Sequence, residues 1–144
     1  MKLNPDCIRD ILFAIEEKTS MKTLFYLDED NCHTIFPNYD LDTVLYHLRQ
    51  CDMYGYLYNS SLSCTGSCTV VDLTPKAHEF INNIRKDTNW NKTKEIAGKV
   101  GSFSLNVLSQ IATNVISLSF SLSVLSQIAT NVITSLINSY TGLT

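Results

Sequence analysis

Three stretches of the chain carry apolar residues three and four positions apart, the spacing that places side chains on one face of a helix. Each stretch also has helix start or stop signals: Asn4-Pro5 before the first, Asp40 or Asp42 before the second with Gly55 after it, and Thr74-Pro75 before the third. The apolar faces are Ile8, Ile11, Leu12 and Ile15; Leu41, Val44, Leu45 and Leu48; and Ala77, Phe80, Ile81 and Ile84.

Shorter runs between these helices have the composition of strands. Residues 56–63 and 69–73 predict two strands, and the turn-like residues 64–68 between them predict a hairpin. Residues 23–27 and 34–36 are interpreted as short extended pieces around an acidic turn at 28–31. The order helix, helix, hairpin, helix predicts an α+β fold with a winged-helix-like module. Its middle helix is not marked in the sequence, and residues 41–53 would be the recognition helix.

The end of the chain is a duplication. SFSLNVLSQIATNVIS at 102–117, the first copy, recurs as SFSLSVLSQIATNVIT at 119–134, the second copy, with differences only at Asn106/Ser123 and Ser117/Thr134. Apolar residues continue at 3-4 spacing through both copies and predict an oligomerisation face: Leu108, Ile111, Val115, Leu118, Leu122, Leu125, Ala129, Val132 and Leu136. We favour one long helix over a helical hairpin, although residues 117–124 alternate like a strand.

Charge divides the chain more sharply than its net charge of -3 indicates. Residues 1–74 hold five basic and eleven acidic residues, whereas residues 75–144 hold six basic and three acidic ones, all before Val100. We therefore predict a winged-helix-like module at 1–87, a connecting helix at 88–100, and a long, uncharged helical tail at 101–144. The acidic module should repel phosphate backbones, so DNA is the less favoured partner.

Several classes of function find little support in the residues. The odd number of cysteines, five, favours a reducing cytoplasm, and charged residues near the start argue against a signal peptide. Polar residues interrupt the tail before an apolar run of about 18–20 residues can form, so we expect no membrane span. Cys64 and Cys68, with Cys32-His33, leave open a metal site, a reducible disulfide or free thiols. We favour thiols and expect no metal, no cofactor and no enzymatic activity.

Two surfaces are candidates for binding. The first is a basic cluster around an indole, which suits a nucleotide or an acidic protein segment: Arg85, Lys86, Thr88, Trp90, Asn91, Lys92 and Lys94. The alternative is a DNA-reading face on the recognition helix, made of Thr43, Tyr46, Arg49 and Gln50. Solvated lysines and a core tryptophan would explain the first cluster equally well.

Residues 4–17, NPDCIRDILFAIEE, residues 41–57, LDTVLYHLRQCDMYGYL, and the run from Leu73 to Lys94 together resemble a known family. It is an uncharacterised family of small proteins from Gram-positive bacteria and their phages, known only as domain of unknown function 2513. The resemblance covers roughly residues 1–116 and is most specific between Arg85 and Lys92. It implies a winged-helix-like core and a prophage setting, and it brings no activity.

Together these observations predict a non-enzymatic, homo-oligomeric binding protein of the bacterial cytoplasm. We expect a phage or prophage accessory protein that binds or sequesters a host component, such as a defence protein or a nucleotide signal. The alternative is a winged-helix transcriptional regulator that binds DNA.

Overall fold

A computed structural model describes the backbone of residues 1–142 and the side chains of residues 1–118 and 126–142. The fold is α+β and mostly helical, with a small antiparallel sheet, which confirms the predicted class. The elements are α1 (Pro5–Lys18), β1 (Phe25–Leu27), α2 (Glu29–Ile35), α3 (Leu41–Tyr54), β2 (Leu57–Leu62), β3 (Cys68–Leu73), α4 (Pro75–Ile84), α5 (Asp87–Val100) and α6 (Leu105–Thr141).

The predicted helix boundaries at α1, α3 and α4 are confirmed, since polar side chains cap the orphan N–H groups of each first turn. Asn4 accepts from the N–H groups of Asp6 and Cys7 at the start of α1. Asp40 caps α3 through the Thr43 N–H, and Thr74 caps α4 through the Ala77 N–H. Helices α1 and α4 bury the apolar faces that the spacing predicted. In α3, Val44 and Leu48 are buried but Leu41 and Leu45 are only half-buried, and His47 and Cys51 complete the buried face.

Helix α2 was not predicted, and the interpretation of residues 28–36 as a turn and an extended piece is wrong. Asp28 accepts a hydrogen bond from the Asn31 N–H at 3.0 Å, and the Asn31 side chain accepts from the Asp28 N–H at 2.9 Å. This reciprocal pair starts the helix. The apolar pattern could not reveal it, because Cys32 is the one residue that α2 buries.

The three strands form a sheet in the order β1-β3-β2. The predicted hairpin is confirmed, with Leu57 opposite Leu73 at one end and Leu62 opposite Cys68 at the other. β1 pairs with the other edge of β3, where Phe25 lies opposite Val70. Phe25, Leu27 and Val70 are buried in the same apolar core as the inner faces of α1 and α3.

The last two helices are joined by a short linker. Helix α5 ends at Gly101 in the left-handed conformation, φ 82°, as the glycine after the periodic residues predicts. Ser104 caps α6 through the Val107 N–H, and α6 packs on α5 and α4. No helix in the described part of the chain is long and apolar enough to cross a membrane.

Candidate interaction surfaces

The predicted basic cluster lies where α5 and the end of α4 meet α1. Arg85 reaches Glu16 of α1 with both terminal nitrogens, at 3.0 and 2.9 Å. The Arg85 hydrogen bonds hold the pKa of Glu16 below its usual value, and the same pair raises the pKa of Arg85. Arg85 is thus committed to a bidentate ion pair between helices, although it remains half exposed.

The predicted indole platform is wrong, because Trp90 is only 2% exposed. Its Nε1 donates to Asp6 of α1 at 2.8 Å, and Lys94 donates to the same carboxylate oxygen at 2.9 Å. A base or a peptide therefore finds no open indole face on which to stack. The sequence held the signal, since Trp90, Thr93 and Ala97 follow helical spacing and form the buried face of α5.

Arg9 of α1 connects that helix to the end of α4 and the start of α5, a role that the sequence did not reveal. It donates to the carbonyls of Ile84 and Arg85, at 3.3 and 2.9 Å, and to Asp87 at 3.0 Å. Helix α4 ends without a left-handed residue, so its last carbonyls lack the usual cap. The guanidinium of Arg9 satisfies them and lies over the rings of Phe13 and Trp90.

Four predicted binding residues remain exposed around the first turns of α5: Lys86, Thr88, Asn91 and Lys92. Lys92 lies 3.8 Å from Glu95, a weak surface pair. Asp87 already places a carboxylate in the first turn of α5, where the helix dipole would otherwise favour a bound anion. The surface left for a ligand is smaller and less cationic than the sequence predicted.

The alternative DNA-reading residues share one face of α3, but Met1 and the start of α6 lie against it. The Tyr46 hydroxyl donates to the carbonyl of Met1 at 3.1 Å. Gln50 lines a hollow together with Ser104 and Asn106 at the start of α6. Arg49 is exposed and lines a neighbouring hollow beside Asp42. Arg49 is thus the one cation among the described residues of this face, and Asp42 borders it.

His47, also on α3, has a structural role that the sequence did not show. The ring is buried, its Nε2 accepts from the Asn4 N–H at 2.8 Å, and its Nδ1 lies 2.7 Å from the carbonyl of Thr43. Because Nε2 accepts, the ring is neutral and Nδ1 carries the proton that it donates to the carbonyl. His47 thereby attaches the start of α1 to α3.

All five cysteines are free thiols, and Cys64 alone among them is exposed. Burial raises the pKa of Cys7 to about 12 and that of Cys68 to about 11, which leaves both thiols protonated and inert at neutral pH. Among the described side chains, no group of three histidine, cysteine or carboxylate residues is placed to hold a metal ion.

The two copies in α6 have opposite environments. Side chains of the first copy are buried against the rest of the chain: Leu105, Leu108, Ile111, Ala112 and Val115. Leu108, Ile111 and Val115 of the predicted oligomerisation face are thus covered by their own chain in this structure. The predicted positions Leu118, Val132 and Leu136 are exposed. Leu122 and Leu125 lie outside the described side chains.

The first copy covers an aromatic part of the core. Tyr56 stacks on Phe80 of α4 with ring centroids 5.4 Å apart, and Tyr54 meets its edge at 4.8 Å. Burial raises the pKa of Tyr56, and the side chain of Ser109 in α6 opposes that rise. The Tyr56 hydroxyl is buried and makes no hydrogen bond of ordinary geometry. Ser109 is therefore the polar group that α6 brings to this site.

Comparison with known proteins places the chain in a family without assigning it an activity. The family described as "Hypothetical protein (DUF2513)" matches residues 2–104. A Haemophilus influenzae protein described as "Uncharacterized protein" is 31% identical over 120 residues, which are 81% of this chain and 97% of the relative. No solved structure matches the chain significantly. The family match ends where α6 begins, and the Gram-positive and phage setting stays a prediction.

Proposed function

The chain belongs to the DUF2513 family, and for this member we propose a non-enzymatic binding protein whose chains associate through the second copy in α6. The proposal depends on the contrast between the two copies. Ile111 is 9% exposed and its counterpart Ile128 is 54% exposed; Val115 is 8% exposed and its counterpart Val132 is 52% exposed.

The exposed apolar surface extends beyond the second copy. Leu136, Ile137 and Tyr140 follow the second copy and, like Ile133 within it, are more than half exposed. Helix α6 carries no charged residue to keep that surface in water. Soluble monomers seldom expose contiguous apolar patches larger than a few hundred Å². Residues that occupy an apolar core in one copy are therefore available for a core between chains in the other.

The mass of the protein in solution tests this association. Light scattering should find the full chain as an oligomer and a chain ending at Ser117 as a monomer. Ile128→Asp should weaken association, because it places a charge on the proposed contact. Thr130→Asp is the matched control: it puts the same charge two residues away, at the counterpart of Thr113, which is exposed in the first copy. A monomeric full chain would disprove the proposal.

We further propose that the body formed by α1–α5 captures a host component, as a prophage accessory protein would. The exposed residues Lys86, Thr88, Asn91 and Lys92 are the candidate contact for an acidic protein segment or a nucleotide signal. Titration calorimetry with a panel of nucleoside phosphates and acidic peptides tests this contact. Lys86→Glu with Lys92→Glu should abolish any binding found and leave the melting temperature within a few degrees.

The second candidate is a winged-helix regulator that binds DNA. The order α1-β1-α2-α3-β2-β3, with the sheet order β1-β3-β2, supports a winged helix with α3 in the recognition position. Helix α2, which the sequence did not predict, has the position of the middle helix in that order. Against DNA binding stand the acidic body and the single exposed arginine of the α3 face.

A gel shift separates the two candidates. We expect no sub-micromolar binding of the full chain to duplex DNA at about 150 mM salt, where even non-specific binders reach roughly 10⁻⁴–10⁻⁶ M. Binding below a micromolar that weakens steeply with salt and is lost in Arg49→Ala would favour the regulator.

A further inference from the structure

The first copy packs on a surface of α4 and α5, which we call the α4–α5 groove. The sequence of a segment that fits this groove is therefore known. Gly98 of α5 is so close to Phe103 that a methyl group added at Gly98 would lie 3.8 Å from the ring. Further along, Ser109 lies beside the hydroxyl of Tyr56. The first copy thus presents to this surface the half-exposed ring of Phe103, which precedes α6, and then the buried helical residues Leu105, Leu108, Ile111, Ala112 and Val115.

The second copy repeats every one of those residues at the same spacing, 17 positions later: Phe120, Leu122, Leu125, Ser126, Ile128, Ala129 and Val132. The copies differ at two positions, and the first-copy residues there, Asn106 and Ser117, are both exposed. Neither difference therefore touches the buried face. The second copy therefore matches the buried residues of the first copy one for one.

We propose that the α4–α5 groove of one chain receives the second copy of another chain, which displaces that chain's own first copy. The proposal rests on the association proposed above and specifies its partner: the groove of a second molecule of this protein. The alternative, in which exposed second copies pair directly with each other, leaves both grooves filled by their own first copies.

Exchange can reproduce the groove contacts of α6, because identical side chains replace one another. For Phe120 to take the place of Phe103, which precedes α6, the exchanged helix must begin again at Leu122. The first copy has the advantage of being tethered to its own groove, which raises its effective concentration. In a two-fold exchanged dimer the second copy of each chain lies in the partner's groove. The displaced first copy then forms the linker between that second copy and its own body. The two linkers then lie side by side and can cover each other's apolar faces, and a reciprocal dimer of this kind closes without open ends.

Crosslinking between two differently tagged full-length chains tests the proposal. Both chains carry Cys64→Ser, which removes the exposed native thiol; one also carries Gly98→Cys and the other Phe120→Cys. The two are co-expressed, and a short bismaleimide is added to the purified oligomer. We expect a covalent product that joins position 98 of one chain to position 120 of the other. Ile128→Asp on the second chain should abolish this product, and Thr130→Asp should retain it.

A single chain with Gly98→Cys and Phe103→Cys is the geometric control, since it should crosslink internally at the contact that the structure shows. Melting temperatures of the cysteine variants close to that of the parent chain establish that each is folded. Products joining only position 120 to position 120, in an oligomer, would overturn groove exchange and leave self-association intact. A monomer without any product between chains would overturn both.

Discussion

The first and second copies in α6 have nearly the same sequence and opposite environments. The first copy packs on α4 and α5 and buries its apolar face, and the described side chains of the second copy are exposed. An apolar face at helical spacing therefore predicts that something will cover it, without identifying what does. In this chain the copy that follows Gly101 directly occupies the α4–α5 groove.

The length of α6 explains why one copy remains. Its 37 residues extend about 55 Å at 1.5 Å per residue, which is longer than a body of this size can cover. The segment of α6 that packs on the body ends near Val115, and from Ser126 to Thr141 every residue is exposed. The second copy must therefore find its partner on another molecule or remain in water.

The largest difference between the copies should appear when the same isoleucine is truncated in each. Ile111→Ala removes a buried side chain and should lower the free energy of unfolding by about 2–5 kcal/mol. Ile128→Ala removes an exposed one and should change it by no more than about 0.5 kcal/mol. Urea denaturation measures both values, at a protein concentration low enough that light scattering finds monomer.

The two variants are controls for each other, because the residue, the substitution and the neighbouring sequence are the same. Equal losses would mean that the second copy is also buried in the monomer. No loss in either variant would mean that the first copy does not pack on α4 and α5.

A smaller loss in the free energy of unfolding should follow when the contact between α5 and α1 is weakened. Trp90→Phe keeps a ring in the core and removes the hydrogen bond to Asp6, which should cost about 1.5–3 kcal/mol because the acceptor is charged. Combining it with Asp6→Ala should give less than the sum of the two separate losses. Hydrogen exchange should then accelerate in the first copy and remain unchanged in the second. Additive losses would place Trp90 outside this pair.

Much of the fold followed from spacing and caps, since Asn4, Asp40, Thr74 and Gly101 each begin or end the element that they predict. Helix α2 was not predicted, because its start is determined by a capping box and it buries only one residue, which leaves no apolar pattern to recognise. The candidate site was less predictable. Arg85 and Lys94 form long-range ion pairs with α1, and Trp90 donates a hydrogen bond to it. Nothing local in the sequence indicates that α5 lies beside α1.

The dependence of stability on pH should come from the body and not from the second copy. Hydrogen bonds from Arg85 keep the pKa of Glu16 low. Burial opposes ionisation of Asp6, but Lys94 and Trp90 outweigh it and lower that pKa as well. Depressed carboxyl pKa values stabilise the folded state above the unfolded value of about 4.3, and that contribution disappears as the pH falls through the folded values.

The second copy has no ionisable group, so it adds nothing itself to this pH dependence. The free energy of unfolding, measured by urea at each pH, should therefore fall below about pH 4.3, because the carboxyl groups that titrate lie in the body. Glu16→Gln should flatten the profile, and an unchanged profile in this variant would show that the pair with Arg85 does not stabilise the body.

The smallest effect is expected where the first copy is converted into the second. Asn106→Ser with Ser117→Thr makes the two copies identical over 16 residues, and both original side chains are exposed. Exposed substitutions away from caps and the core usually change stability by no more than about 0.5 kcal/mol. Asn106 does accept a hydrogen bond from Gln110 at 3.3 Å, which is a surface contact that water can replace.

Urea denaturation should therefore give the same free energy of unfolding for the variant and the parent, and light scattering should give the same mass. A loss of more than 1 kcal/mol would mean that the groove does distinguish the copies, and that the second copy is a poorer ligand for it than its sequence indicates.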